Sequence, residues 1–149
     1  MSKPETTSET IRMSLPSRLD LLNVLDRVAV SLCERLEFDE DAMSQVTLSL
    51  IEAGTNAIQH AHKLDPTKLF DVNFTLHPDA LEISVADHGG GFQPEEVNGD
   101  VGSPEHLLDV RGRGIYIMRA CMDTVDFSFS GTGTVCRMVK RRPTAAATG

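Results

Sequence analysis

Two alternating runs placed back to back restrict the fold of this chain more than any other feature. Phe70, Val72, Phe74 and Leu76 alternate with Asp71, Asn73, Thr75 and His77, and after Pro78-Asp79 the residues Leu81, Ile83 and Val85 alternate again. A period of two sends every second side chain to the same face, so the pair reads as an antiparallel hairpin with one apolar side. That side must be covered. Two upstream stretches have the period to do so: Leu21, Leu22, Leu25, Val28, Ala29, Leu32 and Leu36 recur at three and four, as do Met43, Val46, Leu50, Ala53, Ala57, Ile58 and Ala61. Ser17 is a fair N-cap for the first helix, which reaches about Leu36. Asp39 or Asp41 caps the second, which Asp65-Pro66 ends.

Ile11 to Leu15 alternates weakly and predicts an edge strand stopped by Pro16, while Ile115, Met118, Ala120, Cys121 and Met122 predict a short helix. Val125, Phe127 and Phe129, then Val135 to Val139, predict two strands joined at Gly131-Thr132-Gly133. The order β-α-α-β-β-α-β-β gives an α+β class: a two-layer α/β sandwich, with helices on one face of a mixed, mostly antiparallel sheet. A chain of 149 residues with 40% apolar content suits one core. The expected domain spans residues 11–141, between polar tails without fixed structure at 1–10 and 142–149.

The formal charge of −8 leaves no broad basic field, and the one dense basic run is Lys140-Arg141-Arg142, so nucleic acid is excluded as a partner. Met1 to Thr10 has no signal-peptide pattern, and no apolar run nears the roughly 20 residues of a membrane helix, so a cytoplasmic location is expected. Cys33, Cys121 and Cys136 are odd in number, widely spaced and set among apolar neighbours, which reads as three small core residues.

Three groups of residues carry chemistry. Glu52, Asn56 and His60 are spaced by four, so on a helix they share one face. A carboxylate one turn from a carboxamide combines a base for a hydroxyl or water with a neutral oxygen suited to a hard cation; the same spacing also fits a solvated stripe. Asp87 ends a strand and is followed by Gly89, Gly90 and Gly91, which allow backbone approaches that a side chain would block. An acid held there can accept a hydrogen bond from an exocyclic amine, although an incidental glycine turn has the same pattern. Gly112-Arg113-Gly114 immediately precedes a helix, where free N–H groups make either an anion site or a softened hinge. Between the last two groups runs a long segment rich in Gly, Pro and acids, of the kind that is usually functional or mobile.

Taken in order, these groups resemble the Bergerat-fold ATPases, which include gyrase-type, mismatch-repair and histidine-kinase domains. "EAGTNAIQHA" (Glu52 to Ala61) is similar to their N box, "DHGGG" (Asp87 to Gly91) to the first glycine box, "GRGIYIM" (Gly112 to Met118) to the second, and "GTGTV" (Gly131 to Val135) to the late Gly-Thr turn. The resemblance runs from about Ser14 to Lys140. Within the group, "GRGIYIMRACMDTVDF" leading into the last hairpin looks most like the anti-sigma-factor serine/threonine kinases of bacterial partner switching.

That resemblance implies a Bergerat-type ATP-binding fold with ATP and Mg²⁺ as cofactors. It implies that Glu52 is the general base, that Asn56 ligates Mg²⁺ and that Asp87 binds the adenine amine. Gly89, Gly91, Gly112 and Gly114 would surround the nucleotide, Thr134 would support its adenine end, and Arg111 and Arg113 would reach phosphates. Residues 92–111 correspond to the ATP lid, and His60 to a supporting position. The implied function is phosphorylation of a Ser or Thr on an antagonist protein, with sequestration of a sigma factor or similar regulator. Relatives of this kind commonly dimerise, and the apolar first helix offers either a core face or an interface. The alternative is a binding module in which ATP shapes a surface without turnover. A histidine-kinase catalytic domain separated from its phosphoacceptor is a third reading, which the shortness of the chain disfavours.

Overall fold

The computed structural model describes residues 8–88, 114–130 and 132–142. Among these residues five strands form one sheet: β1 (Glu9–Pro16), β2 (Leu69–His77), β3 (Ala80–Asp87), β4 (Thr124–Ser130) and β5 (Gly133–Arg141), in the order β1-β2-β3-β5-β4. The sheet, expected as mixed, is antiparallel at each pairing. Strand β3 is therefore central. Among the described residues, the α-helices α1 (Leu22–Arg35), α2 (Glu40–Thr55) and α3 (Gly114–Cys121) complete the two-layer α+β arrangement, with α2 packed against both α1 and α3.

The alternating hairpin delivers the core as the sequence predicts. Phe70, Val72 and Phe74 of β2 and Leu81, Ile83 and Val85 of β3 are buried, as are Cys136 and Met138 of β5. Burying a side chain the size of Phe70 or Phe74 contributes about 1.5 to 3 kcal/mol. Leu25, Ala29, Leu32 and Cys33 of α1 pack into the same cluster, which makes the apolar face of that helix a core face. Burial pushes the Cys33 thiol up to about 11, and Cys136 is buried too, whereas Cys121 is only half-buried against the core.

Two local expectations are corrected. Ser17 does not cap α1: a 3-10 turn at Leu19–Leu21 intervenes, its cap residue Arg18 makes no side-chain capping bond, and the Ser17 hydroxyl is drawn inward to His62 and the Lys68 carbonyl. The second helix does not run in α form to Asp65. Asp39 caps it as expected, accepting from the Ala42 N–H at 2.8 Å, but after Thr55 it widens into a π-helix at Asn56–Ala61. Lys63 and Leu64 then take left-handed conformations, with φ of 53° and 64°. Such wide turns and unfavourable dihedrals concentrate at functional sites, and here both follow directly from Asn56.

Candidate active site

Counting by two from Leu81 through Ile83 and Val85 reaches Asp87, so its carboxylate falls on the buried face of β3 and is only 5% exposed. Its register partner on β5 is Thr134, whose backbone N–H donates to Asp87 Oδ1 at 3.2 Å. The Thr134 hydroxyl is also buried, with no hydrogen-bond partner among the described residues. Around this pair stand Ala53, Ala57, Val85, Phe127 and Cys136, with Asn56 at the α2 side. The result is an apolar slot with an acceptor carboxylate and an unsatisfied hydroxyl at its floor. A flat heterocycle that bears an exocyclic amine matches that chemistry.

Gly133 brings the two strands together at this point. A Cβ there would lie 1.9 Å from the Asp87 carbonyl oxygen and 3.1 Å from His88 Cα, so only glycine permits the approach.

The other end of the site is a meeting of two helices. Glu52 is half-buried and Asn56 buried, one turn apart at the C-terminal end of α2. The first residue of α3, Gly114, faces both: a Cβ there would be 2.8 Å from Glu52 Oε1 and 3.6 Å from Asn56 Nδ2. A side chain at this position would displace the carboxylate. The structure thus joins Glu52, Asn56 and Gly114 in one place, and Asn56 links them to the slot that holds Asp87 and Thr134.

His60 departs from the expected common face. The π-turn widens the helix just where the i+4 spacing would return, leaving His60 exposed while Asn56, Ala57 and Ile58 are buried. The buried histidine is instead His62, which bonds the backbone of the residue after Asp87. Nothing in its spacing from Glu52 or Asn56 marks it, and its partner Ser17 is 45 positions away. Gly89, Gly91, Arg111, Gly112, Arg113 and the segment 92–111 lie outside the described residues. Among the described residues no group of three His, Cys, Asp or Glu side chains is placed to hold a metal, and no helix is long and apolar enough to cross a membrane.

Residues 15–140 match the model of the histidine kinase-like ATPase domain. A serine-protein kinase RsbW of Bacillus licheniformis is 31% identical over 133 residues, covering 86% of this chain and 83% of that protein. The serine-protein kinase RsbW of Bacillus subtilis strain 168 is 29% identical, covering 81% and 79%. Among solved structures, that of the RsbU and RsbW domains of a Mycobacterium tuberculosis protein superposes with a TM-score of 0.65 at 14% identity, over 91% of this chain and 33% of that one. The blue-light activated histidine kinase of Erythrobacter litoralis gives a TM-score of 0.52 at 19% identity, over 80% and 60%. At such identities the two structures speak for the fold alone; the sequence relatives and the matched domain carry the assignment. This chain belongs to the histidine kinase-like ATPase domain family, in the branch that holds the RsbW serine-protein kinases.

Proposed function

We propose that this protein is a Mg-ATP-dependent serine/threonine kinase that phosphorylates an antagonist protein and, when unopposed, sequesters a sigma factor or similar regulator. The observation that carries the reading is the Gly114 contact, which sets the Glu52 carboxylate, the Asn56 carboxamide and the start of α3 at one point beside the Asp87 slot. The relatives named as serine-protein kinases supply the type of reaction.

In this proposal adenine is read here: Asp87 would accept its amine N–H, the Thr134 hydroxyl would gain the partner it lacks among the described residues, and the apolar side chains would take the ring faces. The helix junction fits Mg²⁺, which keeps several waters and takes few protein ligands alongside phosphate oxygens, so the single carboxamide oxygen of Asn56 suffices on the protein side. Bound Mg-ATP supplies the phosphoryl group and the neutralisation of its charge. Glu52 orients the incoming hydroxyl and accepts its proton. Phosphoryl transfer needs mainly such positioning, so a base, an amide and a helix start are enough machinery. Gly89, Gly91, Arg111, Gly112 and Arg113 complete the phosphate end in this proposal. The working unit in this proposal is residues 11–141 with a lid at about 92–111, acting in the cytoplasm.

The test is twofold. Saturating Mg-ADP or Mg-ATP should raise the melting temperature, since a ligand at 100 times its Kd stabilises by about 2.7 kcal/mol. Labelled ATP should also transfer its terminal phosphate to a Ser or Thr of a candidate antagonist protein. Absence of any nucleotide-dependent shift overturns the nucleotide site. A shift without transfer, joined to ATP-dependent partner binding, replaces the kinase with a binding module.

Asp87→Asn probes the slot alone. The change preserves shape but turns an acceptor oxygen into a donor that faces an amine, and a hydrogen bond to a charged group is worth about 1.5 to 3 kcal/mol. Calorimetry should therefore show ATP affinity reduced by roughly 10- to 100-fold with the fold intact. Unchanged affinity would show that Asp87 does no more than end its strand.

A further inference from the structure

His62 is 1% exposed, and both of its ring nitrogens are engaged. Nε2 lies 2.9 Å from the backbone nitrogen of His88, which can only donate, so Nε2 is the unprotonated nitrogen. The proton of the neutral ring then sits on Nδ1, which donates to Ser17 Oγ at 2.7 Å, and the Ser17 hydroxyl in turn donates to the Lys68 carbonyl at 2.9 Å. One tautomer satisfies all three bonds. The ring thereby ties the end of the π-turn to the chain just after β1, just before β2 and just after β3.

The bond to His88 acts on the Asp87–His88 peptide, which the close approach of Gly133 confines from another direction. We propose that neutral His62 is a positioning residue for nucleotide binding: by accepting the His88 N–H it fixes the peptide that aims the Asp87 carboxylate, and its protonation releases that grip. The inference rests on the ATP reading of the slot. An imidazolium has no acceptor nitrogen, so a protonated ring would set N–H against N–H at His88.

The groups facing the ring determine where this happens. The Asp87 and Asp65 carboxylates favour its protonation, whereas Lys68 and His88 oppose it; burial, the largest influence, also opposes it and holds the ring below its ordinary value of 6.5. An unfolded chain therefore takes up this proton first as the pH falls. The stability that neutral His62 contributes is full above the ordinary histidine range and is lost as the solution becomes more acid. Nucleotide affinity should fall over the same side of that range.

The experiment compares Mg-ADP affinity of the full chain and of His62→Gln by calorimetry from about pH 8 to about pH 5.5, across the histidine range. Glutamine offers a carbonyl oxygen near the Nε2 position and cannot gain a proton. At about pH 8 the two affinities should agree within about three-fold, and as the pH falls below the ordinary histidine range the wild type should weaken progressively relative to the variant, approaching about ten-fold once the ring is protonated, the scale of one hydrogen bond. Taking the ratio cancels titration of the ADP phosphates, His60 and His88. Parallel pH profiles overturn the role of His62 and leave the ATP reading in place; no ADP binding by the wild type at any pH overturns both. Should His62→Gln fail to fold, the imidazole nitrogens of the wild type give the answer by NMR. The expected result is the Nδ1–H tautomer in the neutral form and a titration midpoint that saturating ADP moves to lower pH, as reciprocal linkage requires. The opposite tautomer, or a midpoint that ADP does not lower, overturns the proposal.

Discussion

Glu52→Gln is expected to lower phosphoryl transfer by about 10²- to 10⁴-fold, the usual worth of general acid–base catalysis, while nucleotide affinity stays near that of the wild type. The substitution keeps the volume of the side chain, which matters because a Cβ at Gly114 would lie 2.8 Å from Glu52 Oε1: the space at the start of α3 is already shaped around this group. A neutral amide fills that space but takes no proton from a hydroxyl. Asn56→Ala is the necessary contrast. It removes the proposed cation ligand, so affinity and transfer should fall together, because a cation held by Asn56 would offset phosphate charge both in binding and in transfer. Single-turnover transfer and equilibrium binding, measured on both variants, separate the roles. Equal loss of binding and transfer in Glu52→Gln would show that Glu52 holds the nucleotide and is not the base.

The parts of this site that repeat locally are legible in the sequence, and the parts that depend on distant pairing are not. Asp87 can be placed by counting: the period of two that buries Leu81, Ile83 and Val85 continues to it, and an acid in an inward phase stands out. The placement of β5 between β3 and β4 gives no such signal. It joins Asp87 to Thr134 across 47 positions, and only the late Gly-Thr turn hints at it through family resemblance. The π-turn after Thr55 escapes for a different reason. Helical templates assume i to i+4 bonding, and by that template His60 should share a face with Glu52 and Asn56; the His62 N–H bonds instead to the Ala57 carbonyl at 2.9 Å. Ser17 shows the limit of reading capability from type. Its hydroxyl could cap a helix, but the buried imidazole of His62 is the partner whose polar atoms would otherwise go unsatisfied, and burial decides between the two uses.

Gly133→Ala is expected to have the second large effect, and its consequence joins stability to binding. The added methyl would begin 1.9 Å from the Asp87 carbonyl oxygen, a backbone atom of the central strand. No rotamer can relieve such a contact, so β5 must move away from β3 at its first pairs, where the Thr134 N–H meets the Asp87 carboxylate. Overpacking of this kind costs about 3 kcal/mol, at the upper end of its usual range. For a domain of this size that lowers the melting temperature by roughly 10 °C. Val135→Ala, two strand positions on and facing solvent, is the control that should leave the melt nearly unchanged. Nucleotide affinity should fall along with the melt in Gly133→Ala, because the peptide that is pushed carries the carboxylate proposed to read adenine. If the melting temperature drops while Mg-ADP affinity is retained, Asp87 is held by the His62 side of its peptide alone, and the approach of Gly133 serves the sheet and not the slot.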